Sequence, residues 1–216
     1  MRLPYPSLCL VTDRLRCNGR SIECVVDAAI DGGVNIVQLR EKDLPAAELY
    51  SLALRVKDIV GNRALLFVND RVNVASAADV DGVQLGESAL PIEAARRVAG
   101  KNLLIGRSVH SVSGAMEAES QGADLLTLGT IFPTASHPGV RTGGTELVKE
   151  VASAVSIPLL GIGGIDASNA KQVMKEGAAG VAVITAISTA RDPALAATDL
   201  CNAMRAVVVP QAVGEI

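Results

Sequence analysis

Short apolar runs alternate along the chain with longer stretches whose apolar residues recur every three or four positions. The first run, Ser7 to Thr12, closes on Asp13, and a helical pattern from Ser21 to Ala29 follows, with Ser21 placed to cap it. The unit repeats with a strand at Asn35 to Leu39 and a helix from Pro45 to Val60, whose Leu49, Leu52, Ala53, Val56 and Val60 share one face. A third unit follows with Ala64 to Val68 and a shorter helix from Arg71 to Ala78. Further strands are expected at Gly82 to Leu85, Leu103 to Ile105, Leu125 to Leu128, Pro158 to Ile162 and Gly180 to Ile184. Helical patterns start near Pro91, Ser111, Gly144 or Thr145, Ala167 and Pro193, and Gly100, Gly122 and Gly177 stand where helices should stop.

Eight strands alternating with eight helices in 216 residues predict an α/β fold, a single-domain (β/α)8 TIM barrel with parallel strands. No shift of composition marks a second domain, so 1–216 reads as one unit, with a frayed tail at 210–216. An open dinucleotide-binding sheet would show a glycine fingerprint after its first strand, and Thr12-Asp13-Arg14-Leu15 has none. With no Trp and only two each of Phe and Tyr, the barrel core should be layered with Val, Ile, Leu and Ala.

Charge narrows the partners. A net charge of -3 and a pI near 5.4 argue against nucleic acid or an anionic membrane as the main partner, so any anion must be held locally. No apolar run is long enough to span a membrane, and Met-Arg-Leu-Pro-Tyr-Pro lacks a signal peptide's apolar centre, so a cytoplasmic protein is expected. Cys9, Cys17, Cys24 and Cys201 form no CxxC pair and read as structural or incidental thiols. Self-association is left open by the pattern.

In a parallel barrel, polar residues at the C-terminal ends of strands converge on one mouth. Gln38, Arg40 and Lys42 stand two apart at the end of strand two, so the pleat turns all three to one side. They form either a solvated charged turn or an anion clamp, in which Arg offers a planar fork and Lys a mobile point charge. Strand three ends in Asn69-Asp70, which either caps the next helix or ligates Mg2+ through oxygen. Late in the chain, Gly161-Ile162-Gly163-Gly164-Ile165 and Val183-Ile184-Thr185-Ala186 follow strands seven and eight, where barrels often bind phosphate. The long loop between Phe132 and Gly144, with Arg141 near its end, suggests a mobile lid.

Taken together, VQLREKD at 37–43, FVNDR at 67–71, GVQLGE at 82–87, Gly106-Arg107-Ser108, Ile131-Phe132-Pro133-Thr134-Ala135-Ser136, GIGGI at 161–165 and Val183 to Ile187 resemble the thiamine-phosphate synthase and TenI group. The resemblance runs from the first strand to the last. It implies a transferase that joins 4-amino-2-methyl-5-(diphosphooxymethyl)pyrimidine to a carboxylated thiazole phosphate, giving thiamine phosphate, diphosphate and CO2. It further implies that Gln38, Arg40, Lys42 and Asn69 hold the pyrimidine diphosphate and that Asp70 ligates Mg2+. Ser108 would contact the pyrimidine, Thr134 and Ser136 the thiazole phosphate, and Gly164, Ile184 and Thr185 would complete the phosphate cradle. Arg40, Lys42, Ser108 and His137 are the expected catalytic residues.

Two positions depart from the synthase pattern. Ser88-Ala89-Leu90-Pro91 places Ala89 where the family carries a second Mg2+-binding aspartate, for which Glu87 is the nearby substitute, and His137 stands where the family carries a lysine. A TenI-like thiazole tautomerase is the alternative, favoured by Arg107-Ser108-Val109-His110-Ser111 and opposed by Thr130, where that group carries its catalytic histidine. His137 is its candidate acid/base, whereas His110 reads as a helix-opening residue. A non-catalytic phosphate-binding barrel is the third reading.

Overall fold

The computed structural model describes residues 3–134, 139 and 141–207. The expected site residues Ser136 and His137 and the tail at 210–216 lie outside these residues, as do parts of the loop expected to form a lid. Eight parallel strands close into a barrel in sequence order. They are β1 (Ser7–Val11), β2 (Ile36–Leu39), β3 (Leu65–Asn69), β4 (Gly82–Leu85), β5 (Leu104–Val109), β6 (Leu125–Leu128), β7 (Leu159–Ile162) and β8 (Gly180–Val183). Closure is made by β1 and β8, with Ser7 opposite Gly180 and Leu10 opposite Val183.

Around the barrel lie α1 (Ile22–Asp31), α2 (Ala46–Val60), α3 (Val72–Ala77), α4 (Ile92–Ala99), α5 (Val112–Ser120), α6 (Gly144–Ala154), α7 (Ala170–Lys175), α8 (Thr185–Ser188) and α9 (Pro193–Arg205). Their starts follow local chemistry. The Ser21 and Ser111 side chains accept the N–H groups of Cys24 and Gly114, and Asp192 accepts that of Leu195 ahead of Pro193. Two helix expectations change. Helix seven begins at Ala170 rather than near Ala167, because Asp166 and Asn169 turn their side chains onto backbone N–H groups and hold 166–169 as a turn. A one-turn α8 is inserted after β8, so the described residues carry nine α-helices instead of eight, and the strand ends at Val183 rather than Ile184.

Two apolar cores result. The larger lies between strands and helices and includes Val37, Leu39, Val68, Leu85 and Leu128. The smaller fills the barrel itself with Cys9, Val11, Ile36, Phe67, Leu125, Leu160 and Ala182. Here the all-aliphatic expectation is corrected, because Phe67 occupies the interior. It fits because residue 82 is glycine: a Cβ there would lie 2.3 Å from the Phe67 ring. Thus the floor of the mouth is a buried apolar layer, and the polar ends of the same inward-facing rows stand above it. All four cysteines are free thiols; burial pushes the Cys9 thiol up to about 12. No helix among the described residues is long and apolar enough to cross a membrane.

Candidate active site

Above that floor the strand ends enclose a cavity of about 940 Å³. Gln38, Arg40, Lys42, Asn69, Asp70, Ser108, Thr134, Gly164, Ile184 and Thr185 all line it, so every expected site residue that the structure describes meets at one mouth. Gln38, Arg40 and Lys42 thus share one cavity with the other strand ends. Gln38 is 7% exposed and donates from Nε2 to Asn69 Oδ1 at 2.8 Å. Asn69 in turn donates from Nδ2 to Asp70 Oδ2 at 2.8 Å. The three side chains form a directional chain that ends on a carboxylate.

Asp70 is the pivot of this side. Its φ of 58° is a left-handed conformation that Asp and Asn tolerate better than most residues. It is held there by its own N–H on the Gln84 carbonyl at 2.8 Å and by its carboxylate, whose Oδ1 accepts the Gly86 N–H at 2.8 Å. Asp70 therefore caps no helix with its side chain; it points its carboxylate at the mouth. A backbone held in a sparsely occupied region by several hydrogen bonds is common at functional sites.

A Mg2+ ion usually takes one or two carboxylates and completes its shell with water and substrate phosphate. Asp70, whose carboxylate oxygens each accept one hydrogen bond and keep a further lone pair, lines the same cavity as Arg40 and Lys42 and fits that role. No group of three metal-ligating side chains occurs among the described residues. Ala89 does not face the mouth: it packs on the outer core, while Gly86, Glu87 and Ser88 of the same loop line the cavity.

Ser108 lies inside β5, which is longer than the pattern indicated, and its Oγ accepts Gln84 Nε2 at 3.1 Å. Gln84 is 3% exposed, and it fits because residue 106 is glycine: a Cβ there would stand 2.0 Å from Gln84 Oε1. Arg107 points away from the mouth and clamps the preceding loop, donating to the Gly86 carbonyl at 3.0 Å and to that of Glu87 at 3.4 Å. Its side chain thus supports the site from outside.

His110 is a residue the pattern undervalued. It precedes the Ser111 cap, as expected, yet it also lines the cavity, with Nδ1 against the Gly129 carbonyl and Nε2 3.6 Å from Glu87 Oε1. Its signal was available: it stands two residues after Ser108, the same spacing that brings Gln38, Arg40 and Lys42 together.

At the ends of β7 and β8 the mouth is lined by a glycine-rich wall. Gly164 has φ 61°, and a Cβ there would stand 2.4 Å from the Pro133 carbonyl oxygen and 2.8 Å from that of Phe132. The β7 loop can therefore lie directly against the segment leading to Thr134 only because residue 164 is glycine. Asn169 Nδ2 fixes the Gly164 carbonyl at 2.8 Å. Thr185 opens α8, so the phosphate loop expected after β8 is the start of a short extra helix, the arrangement by which barrels often present backbone N–H groups to phosphate. Near the start of the chain, Arg14 pairs with Asp43 and Glu41. The guanidinium beside it lowers the Asp43 carboxyl to about 2, and Asp43 and then Glu41 raise Arg14 above its ordinary value.

The fold and mouth define a parallel barrel with a cationic half and a glycine-lined half, the class of barrel that handles phosphorylated small molecules. A family model described as thiamine monophosphate synthase matches residues 8–187. A thiamine-phosphate synthase of Haloquadratum walsbyi is 46% identical over 195 residues, covering 88% of this chain and 87% of that protein. One from Clostridium botulinum is 43% identical over 202 residues, covering 93% and 98%. The solved thiamine phosphate pyrophosphorylase from Pyrococcus furiosus superposes with a TM-score of 0.87 at 39% identity, covering 94% of this chain and 97% of that one. The chain belongs to the thiamine monophosphate synthase family.

Proposed function

We infer that this barrel is a thiamine-phosphate synthase, a transferase that couples the pyrimidine diphosphate to the carboxylated thiazole phosphate. The observation that carries the reading is the pairing, in one cavity, of Arg40 and Lys42 on one wall with Gly164 and the start of α8 on the other. Two anionic substrates need two anion sites facing one another. The family membership and the synthase names of the relatives support the same activity.

In this reading Gln38, Arg40, Lys42 and Asn69 hold the diphosphate end of the pyrimidine, with Asp70 as the Mg2+ ligand. Ser108, oriented by Gln84, faces the pyrimidine. Thr134 and Ser136 hold the thiazole phosphate together with Gly164, Ile184 and Thr185. Mg2+, when bound, would supply further neutralisation of the leaving group's charge.

The chemistry then requires little of the protein beyond placement. The bond from the pyrimidine methylene to the diphosphate oxygen breaks, and its electron pair leaves with the diphosphate. The electron-rich aminopyrimidine carries the positive charge that remains. Arg40 and Lys42 stabilise the charge growing on the diphosphate in a site already organised to receive it. The thiazole nitrogen donates its pair to the methylene carbon, loss of CO2 returns the carboxyl's bonding pair to the heterocycle, and one proton taken up from water completes the thiazolium product. No protein nucleophile is needed, and catalysis is positioning and electrostatics. A cytoplasmic setting belongs to the same reading, since phosphate and diphosphate substrates do not cross membranes unaided.

The test is substrate dependence. Diphosphate should appear only when both heterocycles and Mg2+ are present. Isomerisation of the thiazole phosphate alone, with no coupled product, would replace the synthase with the tautomerase.

A further inference from the structure

The two mouth cations sit next to two acids in sequence, Glu41 between them and Asp43 after them. Left free, these acids would pair with Arg40 and Lys42 and compete with any anion. The fold turns both away. β2 ends at Leu39, and in the segment that follows it Arg40 and Lys42 line the mouth with Gln38, whereas Glu41 does not and is buried at 4% exposure.

A buried carboxylate is tolerated only with donors around it. Glu41 has three: Thr12 Oγ1 donates to Oε1 at 2.7 Å, while the Arg14 backbone N–H at 3.2 Å and Arg14 Nη1 at 3.1 Å donate to Oε2. The Thr12 hydroxyl, its proton committed to Glu41, accepts the backbone N–H of Arg40 at 3.0 Å. Arg14 also takes Asp43, donating from Nη1 to Oδ1 at 2.6 Å and from Nη2 to Oδ2. Among the described residues neither Arg40 nor Lys42 has a carboxylate partner, because both nearby acids are held by Arg14.

We propose that Glu41, acting through Thr12 and Arg14, is a positioning residue for the diphosphate clamp: it fixes the Arg40 backbone and keeps the neighbouring acids off the two cations. The inference rests on the synthase reading of the mouth. Glu41 touches no substrate; it sets where Arg40 and Lys42 stand and leaves their charge for the ligand. Thr12 carries the coupling, since its hydroxyl is the one atom bonded to both Glu41 and Arg40 N–H.

The probe is inorganic diphosphate with Mg2+, its affinity measured by calorimetry, alongside the KM of each substrate. Glu41→Gln and Thr12→Val should each weaken diphosphate binding and raise the pyrimidine KM by about tenfold or more, the scale of a small misplacement in an organised site. The thiazole phosphate KM should stay within about twofold, because in the synthase reading that phosphate binds at the ends of β7 and β8 and shares no partner with Glu41 or Thr12. Thr12→Ser, which restores the hydroxyl, should return diphosphate affinity to the wild-type value. Asp43→Asn, which leaves Glu41 on Arg14, should change it little. If Glu41→Gln does not fold, the Thr12 pair decides. Equal diphosphate affinity in folded Thr12→Val and Thr12→Ser would overturn the proposal, as would losses shared equally by both substrates. A wild type that binds diphosphate yet makes no thiamine phosphate would sink the synthase reading and leave this inference standing. A wild type that binds no diphosphate would overturn both.

Discussion

Replacing Gly164 with alanine puts a methyl group where the β7 loop has no room for one. The backbone there has φ 61°, which costs a residue with a Cβ about 1–2 kcal/mol. The added carbon would meet the Pro133 carbonyl oxygen at 2.4 Å, the Phe132 carbonyl oxygen at 2.8 Å and Phe132 Cβ at 2.9 Å, none of them a flexible chain end. Overpacking of this kind adds about 1–3 kcal/mol, so the sum is roughly 2–5 kcal/mol. In a domain of this size that corresponds to a fall in Tm of about 4–20 °C. If the loop shifts to escape the overlap, the shift passes to Thr134, the next residue along, and to the Gly164 carbonyl held by Asn169. The kinetic mark should then be a roughly ten- to hundredfold loss in kcat/KM for the thiazole phosphate, with the pyrimidine KM nearly unchanged. Calorimetry and steady-state kinetics with each substrate varied in turn provide the assay. A Gly164→Ala protein with wild-type Tm and thiazole KM would refute both the packing argument and the placement of the thiazole phosphate.

Arg40→Ala should lower turnover by about 10²–10³, the usual loss when one preorganised charge is removed, and a pre-steady-state rate equal to wild type would take Arg40 out of the mechanism. Asp70→Asn replaces one of its two acceptor oxygens with a donor, so an amide N–H meets either Asn69 Nδ2 or the Gly86 N–H. It should weaken Mg2+ binding by at least about tenfold and cost about 1–3 kcal/mol in stability; an unchanged metal titration would remove Asp70 as the ligand. The Asp43 carboxyl is depressed to about 2 from 3.8, so its pairing with Arg14 contributes stability that is fully present above pH 4 and lost as pH falls through 2. The difference in denaturation midpoint between wild type and Asp43→Asn should therefore be constant at neutral pH and shrink as pH falls from 4 through 2. A gap undiminished at pH 2 would show that Asp43 acts through something other than its charge.

The barrel was legible because its evidence is periodic. Alternating runs such as Val37-Gln38-Leu39 and the three- and four-residue spacing of α2 are fixed by burial, and burial is written in residue type. The cationic half was legible for a related reason: Gln38, Arg40 and Lys42 are spaced two apart, and they share the mouth although β2 ends at Leu39 and the two cations follow it. What stayed hidden depends on contacts between distant elements. Nothing in Ala89 reveals that its methyl packs on the outer core while Glu87 and Ser88 take the mouth. Phe67 in the barrel interior needs Gly82 from another strand, and Gln84 under Ser108 needs Gly106. The short α8 was missed because four residues are too few for a helical period to show. Glu41 reads as one more charge in a charged turn until Thr12 and Arg14, nearly thirty positions earlier, are seen around it.

The central claim is that one mouth holds a diphosphate on its cationic wall and a monophosphate on its glycine wall so that the two substrates react. It is tested most directly by following diphosphate, CO2 and thiamine phosphate together when purified protein is given both substrates and Mg2+. The account predicts equal amounts of all three, with none formed when either substrate is left out. Absence of coupled product at high protein concentration, with both ligands shown to bind, would contradict it.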